Sequence, residues 1–313
     1  MMEYYAESVI TIIYTIAIVT TNTLILLVVA WTESFRNMNK IYFCSLTLAD
    51  LCVGVFITPF AVFSTFSNNW IYNDEKFCHF EAYLLAVFFI AGLYSMSWMS
   101  VDHYLAVRKP QRHKIAMTPT RSMCWIFFAW LGAISFCCPP LFSFERANFY
   151  QEVFICSIEA GPHKPYFVTA GVLVMFPAVV ALIVTNAYIF TRPFQKKRYM
   201  FETILPETAS RPGNYFMNFV VTIIFCIAWL PWLMLQLYGA FIDQYTSYPH
   251  HVHFYLLWIA IGNSCYKFFV YLGMSQEFRK GLRQLCGHTD CRCPECSIAQ
   301  SISINFITVN SRK

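Results

Sequence analysis

Several residues of this 313-residue chain carry side chains able to do chemistry, and their settings differ. Lys267 lies inside an apolar run near the C-terminal end, and an ammonium in hydrocarbon is costly unless paired, so it is a functional-site candidate by default. Asp102-His103-Tyr104 closes another long apolar run just before a basic loop, and histidine is the side chain whose charge ordinarily changes near neutral pH. His250, His251 and His253 cluster ahead of the last apolar run, a grouping read first as a solvated loop, with a metal or proton sensor as the alternative. Cys286, Cys291, Cys293 and Cys296, with His288, crowd the C-terminal tail, where lipidation and zinc binding are the two chemistries on offer. No catalytic constellation of nucleophile and base, or of metal ligands with an acid or base, falls within one compartment, and no cofactor motif is present. An enzyme therefore has no support.

The elements that must position these residues are long and apolar. The chain is 58% hydrophobic and only 12% charged, where a soluble globular chain runs near a quarter charged. Seven apolar segments cover about 8–31, 41–67, 79–105, 122–143, 165–191, 214–241 and 253–273, each close to the roughly 20 residues a spanning helix needs. Pro59 is expected to end or kink the second. The first eight residues are acidic and the apolar run after them is too long for a cleaved leader, so the first helix is read as an uncleaved insertion signal.

Basic residues set the orientation. Eighteen of the 22 lysines and arginines fall on one set of loops and the tail, against Lys76, Arg146 and Lys164 on the other side and Lys267 within a span. The positive-inside rule then puts the N-terminus outside and the C-terminus in the cytoplasm. The net charge of +5 belongs to cytoplasmic loops rather than to a nucleic-acid surface. Cys78 and Cys156 both fall on the oxidising outer side, where a disulfide would pin the loop after the fourth span over the third.

These residues also form an ordered set of motifs. Asn22 stands in the first span, Leu46-Thr47-Leu48-Ala49-Asp50-Leu51 in the second, and Asp102-His103-Tyr104 lies 24 positions after Cys78 in the third. Trp130 stands in the fourth, Pro177 in the fifth, Phe225 and Trp229-Leu230-Pro231 in the sixth, and Asn263-Ser264-Cys265 with Tyr271 in the seventh. The chain in this order resembles the rhodopsin-like G-protein-coupled receptors over about 8–286, nearest in flavour to amine-receptor relatives and their orphan branches. The resemblance implies an all-α membrane protein of the plasma membrane, a seven-transmembrane bundle over 8–273 with a short amphipathic surface helix over 274–286. Residues 1–7 would be extracellular and 287–313 a cytoplasmic tail. The partner implied is a heterotrimeric G protein.

The departures from the family pattern are as informative. The family's Asp-Arg-Tyr reads Asp-His-Tyr, and His103 lacks the five-donor fork of the switch arginine. The family's Asn-Pro-x-x-Tyr reads Lys267-Phe268-Phe269-Val270-Tyr271. The family places the Lys267 position facing Asp50, which in relatives helps hold sodium, so a buried Asp50–Lys267 pair is expected here in sodium's place. Thr185 stands where the family usually has tyrosine, with Tyr188 three residues on, and Arg211 replaces an acidic residue that some relatives use as a lock. Asp102, His103, Tyr104, Trp229, Pro231 and Tyr271 are the switch and coupling positions.

On the ligand side, the position that amine receptors fill with aspartate is Leu85, so a biogenic amine has no anchor; Glu81, one turn outward, is a displaced alternative. The other aligned pocket positions are Phe88, Phe89, Thr169, Leu173, Trp229, Trp232, Leu233, Gln236, Leu257 and Ile261, mostly apolar. That lining suits a neutral or lipid-like small molecule, or else a pocket filled by its own aromatics. From Gln276 onward Phe278, Leu282 and Leu285 alternate with Arg279, Lys280 and Arg283, the pattern of a helix lying on membrane lipid, with Cys286 as the lipidation candidate. Two functions fit: a receptor signalling to a G protein, and a non-signalling or constitutively biased seven-helix protein acting as partner, scavenger or chaperone.

Overall fold

The structure, a computed structural model, describes residues 2–31, 39–66, 75–142, 147–151, 153–158, 169, 171–191, 212–242 and 250–287. Seven helical spans follow one another. They are α1 (Met2–Trp31), α2 with α3 (Asn39–Phe56 and Thr58–Phe66), α4 (Glu75–Arg108), α6 (Pro119–Phe136), α7 (Phe176–Thr191), α8 (Pro212–Ile242) and α9 (His250–Met274). A short α5 (Pro110–Ala116) joins α4 to α6, and α10 (Gln276–Gly287) follows α9. Six of the spans, with the π turn at Gly171–Met175 counted into α7, are long and apolar enough to cross a membrane; α6 matches the minimum length but is less apolar.

Sequence explains the breaks. Pro59 has no amide hydrogen, and the second span kinks at Ile57 rather than ending, resuming at once as α3. A π turn over Gly171–Met175 precedes α7 just upstream of Pro177. Tyr94 and Ser97 of α4 tie that region down by donating to the carbonyls of Val174 (2.9 Å) and Ala178 (3.0 Å). Pro119 opens α6, with the Thr118 hydroxyl accepting from Arg121 N at 3.4 Å. Arg279 Nη1 donates to the Leu272 carbonyl at 3.0 Å and to that of Gly273 at 2.6 Å, finishing α9 and turning the chain into α10.

The bundle is organised on α4, the longest helix, about 51 Å at 1.5 Å per residue. Serines join its neighbours: Ser45 and Ser95 lie 2.8 Å apart, and Trp130 Nε1 of α6 donates to Ser45 at 2.9 Å. One departure from an all-helical chain lies between α6 and α7. Strands β1 (Ala147–Tyr150) and β2 (Ile155–Ile158) form an antiparallel hairpin, with Phe149 paired to Cys156 and Tyr150 to Ile155. A Cys78–Cys156 disulfide fastens it to the first turn of α4, and His79 Nε2 accepts from Ala147 N at 3.4 Å.

Candidate functional site

The functional positions fall into three zones along α4: an outer mouth, a mid-bundle charge and an inner end.

At mid-bundle, Lys267 of α9 projects inward and its ammonium hydrogen-bonds Asp50 Oδ2 of α2. Lys267 is buried, at 4% exposure. Ser264 Oγ, one turn earlier on α9, donates to the other carboxylate oxygen at 3.0 Å. Asn22 closes the group from α1, its amide donating to the Ser264 carbonyl at 3.3 Å and the Ile18 carbonyl at 2.8 Å. An internal cavity of about 30 Å³ adjoins Asp50, room for about one water by volume. With Lys267 on Asp50, the carboxylate already has its counter-charge. With Phe268 in place of proline, α9 runs on uninterrupted, and the Phe268 ring lies 5.7 Å from that of buried Phe278 in α10.

At the inner end, Asp102 does not reach across the bundle. His113 Nε2 of α5 lies 2.8 Å from its Oδ1, and the carboxylate side chain is 2% exposed. His103 is buried on the adjacent face of α4. Tyr104 points instead towards α7: its ring is 4.9 Å from that of Tyr188 in an edge-on contact, and the Arg108 guanidinium sits 5.5 Å and 5.3 Å from the two ring centres. The displaced tyrosine of the fifth span thus meets the triplet's tyrosine, while the Thr185 hydroxyl turns back to the Ala181 carbonyl at 2.6 Å. Tyr271 is buried with its ring 4.5 Å from Phe43 of α2. Arg211 lies outside the described residues.

At the outer mouth the predicted pocket positions separate. Leu85, Phe88, Phe89, Trp229 and Ile261 line the internal cavity. Phe89 lies 4.4 Å from Trp229 and 6.2 Å from Phe225 by ring centres. Trp232 and Leu257 are buried in the same core, and Leu233 and Gln236 are half-buried on α8. Pro231 sits within α8 without ending it.

Thr169 and Leu173 are exposed, the latter by 61%, because the π turn inserts extra backbone before Pro177 and rotates the positions counted back from it to the outer surface. Glu81 is buried, but Oε2 accepts from the Cys156 backbone amide at 3.2 Å; the carboxylate holds the hairpin rather than facing a ligand. The histidine cluster is not a solvated loop: it opens α9, with His251 Nδ1 3.5 Å from Glu7 of α1 and His253 buried 6.2 Å from Trp232 by ring centres.

The hairpin tip enters the outer bundle. Val153, Phe154 and Ile155 are almost fully buried among Phe88, Trp232, Phe254 and Trp258. Trp258 Nε1 donates to the Val153 carbonyl at 3.2 Å. Phe154 has φ of 60°, a left-handed conformation that a non-glycine side chain adopts at a cost and that aims its ring inward. Val153–Ile155 and His113 were not singled out from sequence. Nothing in periodicity marks the first, beyond its nearness to Cys156. The second carried only a basic loop as its signal.

Among the described residues no group of three His, Cys, Asp or Glu side chains is placed to hold a metal. Cys286 falls in α10, and His288, Cys291, Cys293 and Cys296 lie outside the described residues.

A bundle of seven spans, a disulfide from the third to the loop over it, and an aspartate facing the seventh define a receptor architecture. The chain belongs to the rhodopsin family of seven-transmembrane receptors, whose family model matches residues 21–271. It is 26% identical to the human protein named probable G-protein coupled receptor 21, over 98% of this chain and 89% of that one. It is 25% identical to the zebrafish galanin receptor 2b, over 80% of this chain and 66% of that one. Squid rhodopsin shares the fold with a TM-score of 0.77 at 16% identity, over 90% of this chain and 84% of that one. The chain is thus a multi-pass plasma-membrane G-protein-coupled receptor, not an enzyme.

Proposed function

We propose that this receptor carries its pocket occupant in its own chain and signals to a heterotrimeric G protein at a level set from within. The observation that carries the reading is the burial of Val153, Phe154 and Ile155 among the aromatics of the outer bundle. Among the described residues, the cavity beside Asp50 measures about 30 Å³, below the roughly 300–1,000 Å³ of small-molecule sites. A diffusible ligand therefore enters by displacing the hairpin. The apolar surroundings suit a neutral or lipid-like molecule, and Leu85 offers no anchor for a biogenic amine. The Cys78–Cys156 bridge supports an outer, oxidising location for the start of α4, in keeping with an extracellular N-terminus and cytoplasmic α10. On the inner side, α10 rests on membrane lipid and Cys286 is its lipidation candidate.

Second-messenger output without added ligand tests this. Wild type should exceed a vector control, and Phe154→Ala should bring it down towards that control with surface expression unchanged. A second reading, a seven-helix partner or chaperone that does not signal, is favoured by His103 in the switch position. It gains if wild type equals the control and His103→Arg with Lys267→Asn and Phe268→Pro creates output from none.

A further inference from the structure

Three spans share one hydroxyl near the inner end. Ser100 Oγ of α4 accepts from Asn186 Nδ2 of α7 at 3.1 Å and from Asn218 Nδ2 of α8 at 3.2 Å. All three side chains are more than nine-tenths buried. Asn186 Nδ2 also donates to the Leu182 carbonyl at 2.9 Å, and a carbonyl can only accept, so the Asn186 amide is fixed with its nitrogen towards Ser100. Whichever way the Asn218 amide is turned, the Ser100 oxygen remains its partner. Asn186 Oδ1 and Asn218 Oδ1 accept no hydrogen bond. The neighbouring hydroxyls offer no substitute: Thr185 donates to Ala181 O at 2.6 Å and Thr222 to Asn218 O at 2.9 Å, each within its own helix.

Ser100 lies one helical turn before His103 and two residues before Asp102, the place from which the family's charged switch works. Here Asp102 is engaged by His113 of the adjoining loop helix, and α8 holds no lysine, arginine or histidine to pair with it.

We propose that Asn186–Ser100–Asn218 is a neutral clamp that holds the inner half of α8 against α4 and α7. Its release is the step that lets α8 move outward. The closed clamp keeps three helices in register through uncharged bonds, weaker than the charge-assisted bonds of an ion pair, so it is poised rather than locked. Opening admits water to both carboxamides. The clamp rests on the geometry alone; only its consequence for signalling rests on the receptor reading above. Ser100, Asn186 and Asn218 are positioning residues.

The test uses the full chain in lipid nanodiscs, with genetically encoded spin labels at Arg112 of α5 and Phe216, an exposed residue near the inner end of α8. Ser100→Ala and Asn218→Leu should move the distance distribution to longer values, with the open fraction up about threefold or more. Ser100→Thr, which keeps the hydroxyl, should stay with wild type, as should Thr222→Val. The clamp is overturned if both disrupting variants superimpose on wild type, or if Ser100→Thr and Thr222→Val lengthen the distance as much as they do. Distances that lengthen while second-messenger output stays flat keep the clamp and overturn the signalling reading. Should Ser100→Ala and Asn218→Leu fail to give monodisperse protein, Asn186→Leu is read in their place against the same two controls.

Discussion

Asp50 takes both its partners from one helix, a serine and a lysine one turn apart, and neither can leave. Removing one member of a buried pair strands the other, which typically costs about 3–5 kcal/mol, whereas removing both can be nearly neutral. Lys267→Met should therefore lower expression and thermal midpoint sharply, and Asp50→Asn/Lys267→Met should recover most of the loss; a double variant no better than the single one would sink the pairing. Wild type should also melt at the same temperature in sodium and potassium chloride at equal ionic strength. His113→Ala strands the Asp102 carboxylate in the same way, at about 1–3 kcal/mol, read by thermal unfolding in detergent.

Asp50–Lys267 was legible in sequence because family register places the two helices face to face. Asp102–His113 was not, because it depends on a seven-residue helix folding back under α4.

At the scale of elements, the spans were readable because lipid demands internally bonded helices and hence long apolar runs. Offsets within them were less so: one π turn was enough to send Leu173 outward. The hairpin was unreadable, its four-residue strands being set by a disulfide and by the pocket they enter rather than by alternation.

Close helix contacts were equally hidden. Gly262 of α9 lies under Tyr14 of α1, where an added Cβ would overlap the ring, and Tyr14 Oη lies 3.2 Å from Tyr266 Oη. Gly262→Ala should force α1 away from α9 at about 1–3 kcal/mol. Tyr14→Ala in the same chain should relieve the overlap, so a double variant still less stable than Gly262→Ala would refute the contact as its cause.

For the molecule as a whole, input and output are held by different means. The outer half is closed by a covalent staple and an inserted loop, the middle by a charge pair, the inner half by the Asp102–His113 contact and the amide bonds to Ser100. Cutting the staple should uncouple the first from the others. Cys78→Ser/Cys156→Ser should cost about 2–4 kcal/mol while leaving the Asp50–Lys267 contact in place, so the lower thermal midpoint should still show no difference between sodium and potassium. A sodium response in that variant would mean that the zones are not separate.

The hairpin has a further consequence for anyone seeking a ligand. A segment tethered beside its own pocket presents itself at an effective concentration on the order of millimolar, and washing does not remove it. The apparent affinity of any competitor falls by the fraction of molecules in which the tip is withdrawn. A compound library screened on wild type would return weak binders whatever their intrinsic fit. The same library screened on Phe154→Gly, which lightens the tip and relaxes its backbone, would rank them by the pocket itself.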